Sequence, residues 1–262
     1  MLWESPLAEA TAFVSEQLIL LPRALRLARS MRESHDLDMN PETFAFIEKL
    51  YNDDCDHRIH EILEGAVTIV PTRSLENATL VPQSYLFEST FIYKLFLRYF
   101  TFKLLLHGII EDLQQRFHCM KIDMRAMQAK DVQAADSIAM CVDQALNTYP
   151  PAGLLLVRLI LPLQWCFYAW TRLEARSLPH MHAAYDYERA GKMKVWSLQW
   201  LNRIESKYRG VPTPVQVMQL AGPVLVGGPK TNRQHQITDP ASIIASAGDY
   251  VSLEDPEEAG TK

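Results

Sequence analysis

Cysteine is scarce in this 262-residue sequence and is not arranged for metal. Cys55, Cys119, Cys141 and Cys166 stand far apart, with no Cys-x-x-Cys pair and no histidine at zinc-finger spacing, so reduced and mostly buried thiols are expected. Positive charge is not in excess either. The formal net charge is -5 and the pI about 5.9, and polyanion binding rests on clustered Lys and Arg, so no direct nucleic-acid contact is expected. The marks of a hydrolase elbow (G-x-S-x-G), a zinc protease (H-E-x-x-H) and a dinucleotide enzyme (G-x-G-x-x-G) are all missing, which tilts the expectation away from catalysis. No internal repeat is found. Met1 to Val14 carries Glu4 and Glu9 without a basic start, unlike a secretory signal. Asn77-Ala78-Thr79 is then a glycosylation sequon that an intracellular chain would leave idle.

One long apolar run, Pro151 to Trp170, reaches the length of a bilayer crossing. It contains Arg158, Pro162 and Gln164, and a charge at mid-membrane costs about 2.5 to 3.5 kcal/mol on insertion scales. A buried helix is expected and no membrane partner.

What the chain does have is apolar residues, 48% of the total, recurring at three- and four-residue spacing between prolines. Alternating runs that would build a sheet do not persist, so the fold class expected is all-α, a bundle of six or seven helices over residues 1–210. A segment from Pro6 to about Glu33 reads as two short helices or one bent at Pro22. Asn40-Pro41-Glu42 opens a helix reaching about Gly65, followed by an extended connection from Val70 to Pro82. From Ser84 a long helix is apolar nearly all round, with Lys94, Arg98 and Thr101 on one face and Lys103 and His107 roughly opposite; it belongs at the centre. Further helices are expected over Asp123–Leu146, with an inward stripe of Val132, Ala135, Ile138, Ala139 and Val142, over Ala152–Arg176, and over Ala183–Tyr208. Residues 211–230, rich in Pro and Gly, read as an irregular arm, and 231–262 as a disordered acidic tail.

Tyr51 to Leu63, "YNDDCDHRIHEIL", is the densest cluster of chemistry. On one continuous helix Asp53, His57 and Glu61 would line up turn by turn as metal ligands. Helical di-metal sites draw Glu and Glu-x-x-His sets from several helices, and no Glu-x-x-His occurs. A cyclase-type magnesium site built on Asp53, Asp54 and Asp56 meets His57 where the distal acid should stand. The expectation is therefore a solvated face, with Arg58 pairing to Asp54, and no metal or other cofactor. "GPVLVGGPKT", Gly222 to Thr231, departs from a phosphate loop because Gly228 and Pro229 intervene before Lys230, and reads as a hinge. Arg23, Arg26, Arg29 and Arg32 read as a charged outer face, and His180-Met181-His182 as an ordinary connection.

The stretch from Asp131 to Leu178, "DVQAADSIAMCVDQALNTYPPAGLLLVRLILPLQWCFYAWTRLEARSL", followed by "WSLQWLNRIESKYRGVP", resembles the C-terminal part of fungal zinc binuclear cluster transcription regulators. "LILLPRALRLARSMR" and "FIEKLYNDDCDHRIHEIL" are similar to their leading helices, so the likeness spans most of Leu18 to Pro212. It departs from the family in lacking the six-cysteine cluster, as a regulator whose first exon is missing would. The resemblance implies a non-enzymatic regulatory region in the nucleus, or otherwise the cytoplasm, whose partners are proteins such as the transcription machinery or a DNA-binding regulator. A helical metal-dependent enzyme using Asp53, Asp54 and Asp56 is the alternative. Trp165, Tyr168 and Trp170 are candidates to line an effector pocket.

Overall fold

The computed structural model describes residues 5–33, 41–53, 56–147, 152–177 and 184–207, and these are mostly helical. The expectations for the arm, the tail, "GPVLVGGPKT" and His180-Met181-His182 lie outside the described residues. No described helix is long and apolar enough to cross a membrane.

The first described element is α1 (Pro6–Glu33), a single helix that carries Pro22 on an exposed position instead of breaking there. Its buried stripe is Leu21, Ala24, Ala28 and Met31, and the guanidinium of Arg23 lies 4.6 Å from the centre of the Phe46 ring on the next helix. That helix, α2 (Pro41–Asn52), stops at a bend at Asp53, and α3 (Asp56–Ala66) follows. The continuous helix expected from Pro41 to Gly65 is thus two.

Between α3 and the central helix the structure holds a feature missed in the sequence, an antiparallel hairpin of β1 (Val67–Pro71) and β2 (Gln83–Phe87), with α4 (Leu75–Ala78) in its loop. The register pairs Val67 with Phe87 and Pro71 with Gln83. Side chains of the following helices bind its loop and the end of β2. Asp143 accepts from the Arg73 and Ser74 N–H groups at 3.2 Å each, and Gln144 accepts from Phe87 N–H at 2.7 Å while donating to its carbonyl at 3.2 Å. A buried peptide edge left without partners would be costly, so these two residues fix the hairpin against the helices.

The central helix, α5 (Thr90–Phe117), starts after the strand, with the Ser89 hydroxyl accepting from Ile92 N–H at 3.3 Å, and not at Ser84. It ends at His118, whose positive φ of 53° places it in the left-handed region used to close helices. Between Ile92 and Leu113 almost every residue is buried, because α1, α2, α6, α9 and β2 all pack on it. Next come α6 (Met124–Met140), capped by Asp123, which accepts from Arg125 and Ala126 N–H, and α7 (Val142–Asn147). Ala135, Ile138, Ala139 and Val142 are buried as expected, Val132 is only partly so, and Asp131 takes its place in the interior.

The long apolar run is divided at Leu159 into α8 (Ala152–Arg158) and α9 (Ile160–Ser177), so Pro162 falls in the first turn of α9, where its missing N–H is harmless. The last described element is α10 (Ala184–Lys207), laid along α9. Trp196 and Trp200, one turn apart on α10, both donate their indole N–H to Asn77 Oδ1, at 3.0 and 2.9 Å, tying α10 to the hairpin loop. Asn77 is 2% exposed. Splitting at Asp53, Cys141 and Leu159, together with the short α4, raises the six or seven helices expected to ten helical segments among the described residues.

Candidate functional site

The centre of the bundle is polar. On α5, Lys103, His107 and Glu111 recur every four residues and so share a face. Asp131 meets that face from α6 and Arg172 from α9, and all five are buried. Arg172 donates from Nε to Asp131 Oδ2 at 3.0 Å and from Nη2 to Oδ1 at 2.7 Å, a two-point grip on one carboxylate. A third bond, 3.4 Å long, runs from Nη2 to the Leu104 carbonyl. One turn further along α9, Arg176 donates to Glu111 Oε2 at 2.8 Å.

Burial alone would raise the Asp131 carboxyl; the Arg172 guanidinium and the neighbouring imidazole outweigh it and hold the acid well below the usual carboxylate range. Arg172 is destabilised as a cation by burial but held charged by Asp131 and Glu111. His107 responds in the other direction. Its burial lowers its pKa despite the opposing pull of Asp131, while Lys103 and Arg172 add repulsion, so the imidazole is kept neutral.

His107 is 1% exposed and its Nδ1 faces Asp131 Oδ1 at 3.5 Å, the limit of a hydrogen bond, while its Nε2 has no hydrogen-bond partner among the described residues. That is an expensive arrangement, since an unsatisfied buried polar group costs about 1 to 3 kcal/mol. The ring also lines a cleft of about 320 Å3. From α5 the cleft takes Tyr99, Phe100 and Lys103 as well; α3 supplies Ile59 and β2 supplies Tyr85. The α6 wall is Lys130, Gln133, Ala134 and Ser137. Lys103 Nζ lies 5.4 Å from the centre of the Tyr99 ring, and Lys130 Nζ 5.8 Å from that of Tyr51. Among the described residues the lining includes two lysines, both of which have interaction partners, and no carboxylate.

The residues marked in the sequence lie elsewhere. Asp53 is exposed on the bend after α2, Glu61 is exposed on α3, and Asp56 and His57 fall in the first turn of α3, while Asp54 is outside the described residues. Asp53 stands on the bend after α2 while His57 and Glu61 belong to α3, so the three are not carried by one continuous helix. Arg58 pairs with Glu9 of α1 at 2.9 Å. Among the described residues no group of three or more His, Cys, Asp or Glu is placed to hold a metal ion. Trp165 and Trp170 are interior packing residues, the latter beneath the Arg189 guanidinium at 5.1 Å, and burial pushes the Tyr168 phenol up to about 12. None of these three lines the cleft.

Lys103 and His107 were visible as polar positions one turn apart on an otherwise apolar helix. Asp131, Glu111, Arg172 and Arg176 were not, because each sits singly among residues of ordinary helical polarity. Comparison with protein-family models, with curated proteins and with solved structures returns no match.

Proposed function

We propose that this helical domain is a non-enzymatic regulatory domain of the kind carried C-terminally by fungal zinc binuclear cluster transcription regulators. It works through protein or effector contacts in the nucleus, with the zinc cluster supplied by another protein if DNA is to be bound. The observation that carries the reading is the amphipathic cleft lined by four separate elements, which shares His107 with a buried charge network. A cleft of that kind is where a ligand's presence alters how helices pack, which is what a regulatory domain requires. The order of elements also supports it. A small-residue helix pair (α6, α7) leads through a Pro-Pro stretch to the aromatic-rich α9 and then to α10 with its paired tryptophans, the sequence order on which the family likeness rests.

The test is a reporter assay with the whole chain tethered to a foreign DNA-binding domain, together with a pull-down from nuclear extract. Altered transcription or recovery of transcription machinery is expected. A silent reporter with no nuclear partner overturns the reading.

A further inference from the structure

We propose that the cleft between α3, β2, α5 and α6 binds a small neutral phenol, whose hydroxyl donates to His107 Nε2 while its ring lies among Ile59, Tyr99 and Phe100. The proposal names the effector class of the regulatory reading above and rests on it for biological meaning, though binding itself is measured without it.

The imidazole sets the polarity of the ligand. His107 Nδ1 faces Asp131 Oδ1 at 3.5 Å, and that carboxylate is held ionised by the two-point grip of Arg172. An ionised carboxylate only accepts, so the single proton of the neutral ring sits on Nδ1 and Nε2 is left as an acceptor. Asp131 is not part of the cleft lining whereas the imidazole is. With Nδ1 turned to Asp131, the nitrogen remaining for an occupant is Nε2, which is buried and has no partner among the described residues. What completes it is an O–H or N–H donor.

The rest of the lining sets the charge. Lys103 and Lys130 already have interaction partners and are not available to neutralise an acid, and an acceptor nitrogen repels a carboxylate. An amine fares no better, because two lysines would repel it and no Asp or Glu lines the cleft among the described residues. Tyr85 and Ser137 hydrogen-bond to each other across β2 and α6, and Tyr99 is also engaged, so they present ring and hydrocarbon surface more than free donors. The ligand that fits is uncharged and carries one donor.

The walls favour an aromatic body. Phe100, Tyr85 and Tyr99 offer three rings and Ile59 and Ala134 the aliphatic remainder, and ring pairs gain more than their buried area alone provides. The volume of about 320 Å3 lies at the small end of ligand clefts, which suits one substituted ring. A phenol joins such a ring to a hydroxyl that stays protonated at neutral pH, where His107 is kept an acceptor.

The whole purified chain would be titrated calorimetrically near neutral pH with 4-ethylphenol, using 4-ethylanisole, which keeps the ring and loses the donor, and 4-ethylbenzoate as controls. The phenol is expected to bind saturably, and the anisole and the benzoate about fivefold or more weaker, the factor that one hydrogen bond carries. In nitrogen-15 NMR of the wild-type chain, the Nε2 resonance of His107, assigned through its bonds to the backbone, should move upfield on adding the phenol and stay in place with the anisole. His107→Phe should bind the phenol no better than wild type binds the anisole; if that variant does not fold, the wild-type resonance decides. No saturable binding of the phenol, equal binding of phenol and anisole, an unmoved Nε2 resonance, or full affinity in His107→Phe would overturn the proposal. An active reporter without phenol binding removes the ligand and leaves the regulatory reading; phenol binding with a silent reporter does the reverse.

Discussion

Carboxylates occur in two concentrations in this molecule, and they are handled in opposite ways. Around the α2–α3 bend, Asp53 and Glu61 are exposed and Arg58 reaches across to Glu9 on α1, with both partners of that pair about half exposed. In the buried network around His107, Asp131 and Glu111 come from different helices, are shielded from water, and each has an arginine from α9. The first group is dense in sequence and dilute in space. The second is sparse in sequence and dense in space. Acids adjacent in a chain repel one another and stay in water, whereas burying one requires a partner that only tertiary structure can deliver.

The largest test of this contrast is Asp131→Ala. Removing one member of a buried pair strands the Arg172 charge, so the variant should lose about 3 to 5 kcal/mol in denaturant unfolding. A loss below about 1 kcal/mol would show that water reaches Arg172 and that the network is not closed. Asn77→Ala comes next, because it removes the acceptor for two buried indole N–H groups; a loss of about 2 kcal/mol or more is expected, with a change in tryptophan fluorescence.

The pH dependence follows from His107, which is faced by Asp131 from α6, Lys103 on its own helix, Arg172 from α9 and the Tyr51 ring from α2. Its folded pKa lies below the unfolded value near 6.5, so in the interval between them the unfolded chain binds more protons and stability rises with pH. Wild-type protein should therefore weaken as pH falls from about 6.5, by up to about 1.4 kcal/mol per unit, and His107→Gln should be flat there. Asp131 acts separately. Its folded pKa is depressed, so its contribution is complete above the unfolded value of about 3.9 and is lost only in stronger acid.

At the surface the effects shrink. Glu9→Gln should cost about 0.2 to 1 kcal/mol, vanishing in high salt, because exposed pairs are screened. Asp53→Ala and Glu61→Ala should each move stability by less than about 0.5 kcal/mol in the same unfolding assay. A large effect from either would mean that the bend region closes on something.

The difference in legibility has the same origin. α5 could be read directly, since a helix apolar on every side has to be surrounded, and α10 fell within a residue of its expected bounds. The break at Asp53 could not, because neither Gly nor Pro marks it. The hairpin was hidden for a different reason. Each strand is five residues long, and the apolar residues of β2 run into those of α5, so period two was masked by the helical pattern that follows. Asp131 lay one position from Val132 in a helix that tolerates acids on its outer face. Its inward direction was set by Arg172, 41 residues away. The cleft inherits that blindness, because its walls come from four elements and only Lys103 and His107 share a visible spacing.

Asn77 brings one further consequence. The same side chain is the nitrogen-bearing residue of an Asn-Ala-Thr acceptor and the clasp between two tryptophans on the last described helix. A sugar attached there would occupy the space the indoles fill, so a glycan-bearing molecule and the closed bundle exclude each other. Any glycosidase-sensitive band at this site would count chains that were intercepted before they folded.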